Sequence, residues 1–196
     1  MFSRPYRKVF LSSQLQKCIL LFPTNANFLA LLDWVESNLR INDEFRSLLA
    51  DHVLTKEHDT VELRTLAVRR ELANGSVYTA AAAFERALDS DAGRNPWFLT
   101  CYVRFCHERE DREYRARAKG KAKGKGEERG RDLGRKAYYK ALARCPWAKG
   151  LAMEAFGTLV RRMDSAELKG SYRSMEEKGL RLHVDMEAFA ERRRGK

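Results

Sequence analysis

Apolar residues along most of this chain recur every three to four positions rather than every two, the spacing that gathers side chains on one face of an α-helix. In residues 96–111, Trp97, Cys101 and Phe105 fall on one such stripe, with Phe98 and Tyr102 beside it. Glycine and proline are scarce outside a central Lys/Gly-rich tract, so the spacing predicts helices near 12–22, 25–40, 43–54, 59–73, 77–89, 96–111, 131–144, 147–162 and 165–178, with a short one after 185. Several ends carry their own chemistry. Asn42 is placed to cap a helix beginning DEF, and Ser76 follows Asn74-Gly75, so one helix should close at the glycine and the next open at the serine. Asp164 and Glu167 have capping-box spacing, and Gly179 should end the helix they begin. Leu180, Leu182 and Val184 alternate with polar residues, which predicts an extended segment capping the last helices.

The helices also repeat. Aligning prolines sets KALARCPW at 140–147 against FERAL…NPW at 84–97 and QKCILLFPT at 16–24. Leu15, Phe84 and Tyr138 then share one position, and Ile19, Leu88 and Leu142 another, each set upstream of Pro23, Pro96 or Pro146. Helix-pair repeats run about 34–47 residues, so the first proline spacing fits two units and the second fits one unit with an insertion. The intervening copy, near 43–73, has lost its proline around His58-Asp59. Proline is tolerated at the first helical position, where no N–H donor is needed, and so can close one helix and open the next. The expected architecture is all-α, an alpha solenoid of about four repeats. Pro23, Pro96, Trp97, Pro146 and Trp147 are expected at the repeat junctions, with Trp147, Leu151, Phe156 and Leu159 filling the space beside the small series Ala148, Ala152, Ala155.

Charge changes this picture in one place. The formal charge is +11, but residues 112–136 alone hold eleven Lys or Arg against four acids. The organisation expected is therefore 1–111 helical repeats, 112–134 a flexible, disordered basic insertion, and 135–196 the final repeats and C-terminal cap. Arg115, Arg117, Lys119, Lys121, Lys123, Lys125, Arg129 and Arg131 are its candidate residues for weak nonspecific RNA contact or nuclear import. No aromatic lies between Tyr114 and Tyr138 for base stacking, which argues against sequence-specific recognition by the tract.

Other chemistries find little purchase. The longest apolar runs, such as CILLF at 18–22, fall short of the roughly 20 residues of a membrane span. Gln14, Gln16 and Lys17 break the run a secretory signal needs, so the cysteines at 18, 101, 106 and 145 are expected reduced. His52, His58, His107 and His183 lack metal-ligand spacing, and Cys101, Cys106 and His107 diverge around a helix. Gly120 to Lys125 has the wrong glycine spacing for a phosphate loop and no Ser or Thr after its lysine. No catalytic, metal or cofactor residues are expected.

The stretch KALARCPWAKGLAMEAF resembles HAT repeats, the half-a-TPR helix pairs of RNA-processing scaffolds, which form right-handed solenoids. Residues 10–38, AAAFERAL at 81–88, RKAYYKALARCPWAKGLAMEAF at 135–156 and EEKGLRLHVDMEAF at 176–189 together resemble the C-terminal end of the nuclear RNA-interference-defective (NRDE-2) family. Its most specific pieces here are CPWAKGL and EKGLRLHVD. The resemblance implies a non-enzymatic nuclear scaffold associated with the nuclear exosome's RNA helicase and with splicing factors, in RNA surveillance, intron handling and small-RNA-directed silencing. Met1 falls inside what would be a repeat, which points to a shortened gene model, a paralogous remnant or a fragment. Two other readings remain open at this stage: a nonspecific RNA-binding module built on the basic tract, and a HAT scaffold of another pre-mRNA processing complex.

Overall fold

In the computed structural model every regular element among the described residues is helical. The structure describes residues 4–22, 25–39, 60–73, 75–118, 132–180, 188–189 and 191–192. The helices expected over 43–54 and the cap at Asn42 lie outside these residues, as do Pro23 and the alternating segment at 181–187. The chain divides into two compact units, Met1–Ala92 and Gly93–Lys196.

The first unit contains α1 (Arg4–Leu21), α2 (Ala26–Leu39), α3 (Val61–Ala73) and α4 (Val77–Leu88). Leu15 and Ile19 of α1 meet Leu29, Leu32 and Val35 of α2 and Leu63 of α3, with Phe28, Leu66 and Ala67 packed on this core. Each fully buried leucine or isoleucine contributes about 1.5–3 kcal/mol. Between α2 and α3 sits a charged pair: Arg70 Nη1 lies 3.1 Å from Asp33 Oδ1, both side chains almost wholly buried, and Arg69 reaches the other carboxylate oxygen at 3.7 Å.

The turn between α3 and α4 follows the sequence closely. Gly75 adopts φ +75°, a left-handed conformation that glycine takes without strain, and its N–H bonds to Leu72 O at 3.0 Å. Ser76 then caps α4, its hydroxyl accepting the Thr79 N–H. The buried face of α4 is Ala80, Ala83, Phe84, Ala87 and Leu88, a clean three-to-four spacing.

The second unit contains α5 (Pro96–Ala118), α6 (Leu133–Arg144), the short α7 (Lys149–Ala152) and α8 (Glu154–Gly157), and α9 (Ser165–Glu177). α5 runs past the expected end at 111, so residues 112–118 of the basic tract are helical. Its buried apolar residues are Phe98, Leu99, Tyr102 and Val103, while Trp97 is 60% exposed and Cys101 and Phe105 are half-buried. The core rows are thus the two beside the Trp97/Cys101/Phe105 stripe.

α5 and α6 are antiparallel: Gly134, at the start of α6, lies against His107, and Cys145, just beyond its end, lies against Arg94. A Cβ at Gly134 would come within 3.2 Å of the His107 Cα and 3.1 Å of Leu159 Cδ2, so the small residue sets how close the helices come. Tyr138 of α6 is fully buried, and its hydroxyl donates to Ala152 O at 3.2 Å.

The single helix expected over 147–162 is instead α7 and α8, broken at Met153 and followed by turns through Met163. The small and large apolar residues expected to face inward do so: Ala148, Leu151, Ala152, Ala155, Phe156 and Leu159 are all buried. α9 carries the predicted capping box, with Asp164 and Glu167 bonding reciprocally. It closes at Gly179 (φ +68°), where the Leu180 N–H reaches Met175 O and the Gly179 N–H reaches Glu176 O, a complete Schellman motif.

Candidate functional site

Two regions of the second unit hold the residues singled out by the sequence. The first is the base of the basic tract. Arg115 is exposed near the end of α5, and Arg117 lies on the same helix. Lys119, Lys121, Lys123, Lys125, Arg129 and Arg131 lie outside the described residues.

Where the chain returns, Asp132 has φ +80° and makes no side-chain cap for α6. The cap comes from α5. Glu110, 6% exposed, accepts the backbone N–H of Asp132 at 3.1 Å through Oε1 and of Gly134 at 3.2 Å through Oε2. A carboxylate at a helix N-terminus satisfies orphan N–H groups and complements the helix dipole.

Arg162 closes the same clasp. Its Nη2 donates to Asp111 at 2.6 Å, its Nη1 lies 3.7 Å from Glu110, and its guanidinium sits 5.7 Å from the Tyr114 ring centroid. Burial pulls the Asp111 carboxyl upward, but the Arg162 hydrogen bond and the charges of His107, Arg162 and Arg115 outweigh it and hold the group below its usual value. On the other side, Arg135 bridges Asp132 at 2.8 Å and Glu167 of α9 at 3.0 Å. Residues 132–135 are therefore held against α5 at Glu110 and against α9 at Glu167. Sequence reading missed Glu110, although an acid seven residues after the buried Val103 falls on the helix's inner face and was the signal available.

The second region is the Pro-Trp end of the same unit. Asn95 Oδ1 accepts the Phe98 N–H at 3.0 Å, and Pro96 takes the first helical position of α5, the role expected of it. At the other site Cys145-Pro146-Trp147-Ala148 forms a turn, the Ala148 N–H reaching Cys145 O at 3.1 Å. Cys145 and Ala148 are buried, and the turn between them puts Pro146 and Trp147 outside.

Trp147 is 62% exposed, and Trp97 is likewise outside the core. Trp147 thus lies outside rather than filling space beside the small series as expected, because the helix after Pro146 starts only at Lys149 and the ring belongs to the turn rather than to a packed helical face. The Cys145 thiol lies 3.1 Å from Arg94 O, so the two Pro-Trp steps share one end of the α5–α6 pair.

Glu154, buried in α8, accepts three hydrogen bonds from Arg104 at 2.7–3.2 Å and one from the Thr158 hydroxyl. The hydrogen bond from Arg104 and its charge partner Glu154 raise the guanidinium's affinity for its proton. Burial pushes the Cys101 and Cys145 thiols up, despite the opposing charges of Arg104 and Arg144, so both are protonated near neutral pH. Among the described residues no group of three His, Cys, Asp or Glu is placed to hold a metal ion, and no helix is long and apolar enough to cross a membrane.

Comparison with protein-family models, with characterised proteins and with solved structures finds no match to this chain.

Proposed function

We propose that this chain is a non-catalytic nuclear scaffold resembling the NRDE-2 family, built of HAT/TPR-like helix pairs in a right-handed alpha solenoid of about four repeats. It binds protein partners in nuclear RNA surveillance, RNA-directed silencing and pre-mRNA splicing, with the exosome's RNA helicase and spliceosomal factors as the expected partners.

The observation that carries this reading is the shared register of Leu15, Phe84 and Tyr138. Each is almost wholly buried; Leu15 and Tyr138 lie eight residues upstream of Pro23 and Pro146, and Phe84 lies twelve upstream of Pro96, one helical turn further. Three copies of one buried position, spaced as helix-pair units, fit stacked repeats better than an unrelated set of core residues. Affinity purification of the tagged chain from nuclear extract tests it. Exosome-helicase or spliceosomal proteins should co-purify with the folded chain, and their absence would count against the scaffold reading.

The clasp around Glu110 favours a second reading, in which the basic tract contacts RNA without sequence preference. Glu110 holds the chain at Asp132 against α5, the helix that also carries the exposed Arg115. Deleting 119–131 should then flatten the salt dependence of RNA binding while leaving protein partners bound. Loss of those partners on deletion would reject this division of labour.

A further inference from the structure

We draw no further inference here: the strongest candidate, the surface patch of exposed apolar side chains Leu20, Leu21 and Phe22 at the end of α1 and Leu31 and Trp34 on α2, carries nothing because no observation in the structure shows what covers it.

Discussion

The Glu110 carboxylate accepts the backbone N–H of Gly134, twenty-four residues further along the chain, so α6 is capped by the helix it packs against rather than by its own first turn. Asp132, the residue at the cap position, is turned away in a left-handed conformation, and its carboxylate serves Arg135 instead. Replacing Glu110 by alanine strands two N–H groups in a place with little access to water. We expect a loss of about 1–3 kcal/mol in urea unfolding, with Glu110→Gln, which keeps an acceptor oxygen, losing less. Equal stability of the alanine variant would show that water takes over the cap.

The buried Asp33–Arg70 pair in the first unit sets up a different experiment. Removing Asp33 takes a carboxylate partner from the buried Arg70 guanidinium, so Asp33→Ala should cost about 3–5 kcal/mol by chemical denaturation. Replacing both by leucine and methionine of similar bulk should recover most of that loss, because no uncompensated charge remains. A double variant as unstable as the single one would mean that shape, not charge, governs the site.

Burial of Tyr138 pushes its phenol up to about 12, against the opposing hydrogen bond from Ser171. The unfolded chain loses this proton near pH 10, whereas the folded one holds it, so between those values the folded state binds more protons. Stability should therefore be constant below about pH 10 with respect to this group and fall as pH rises toward 12, by about 2–3 kcal/mol in all. Thermal melts of Tyr138→Phe against the parent isolate the effect, since the variant lacks the phenol. Parallel slopes for the two proteins would contradict the assignment.

Trp147 lies on the outer side of its turn, and truncating an exposed ring leaves no cavity. Trp147→Ala should change the unfolding free energy by less than about 1 kcal/mol, against about 3–5 for a tryptophan lost from a core. A loss in the larger range would place the ring in a packed contact.

The parts of this structure that the sequence disclosed are those whose physics is local. Ser76 after Gly75, the Asp164/Glu167 box and Gly179 each satisfy backbone groups within a few residues, so spacing alone identifies them. Leu15, Phe84 and Tyr138, picked out by their apolar spacing, are likewise buried.

What escaped was set by tertiary contact. Periodicity placed Trp97 among candidates for the inner face of α5, but choosing between neighbouring rows requires knowing where α6 and α7 lie, and these select Phe98, Leu99, Tyr102 and Val103. The turn at Pro146 is legible from the proline, but that the next helix opens only at Lys149, leaving Trp147 in the turn, depends on the Cys145–Ala148 hydrogen bond. At the base of the basic tract, the partnership of Glu110 with Asp132 and Gly134 crosses more than twenty residues, which no local spacing encodes.

That partnership ties the start of α6 directly to α5. Loop length enters stability only logarithmically, about 0.6 kcal/mol for each doubling. On that scaling, any connection without contacts of its own can be lengthened, shortened or recoded over generations at small cost to a helix pair tied together in this way, an evolutionary free parameter attached to an otherwise constrained body.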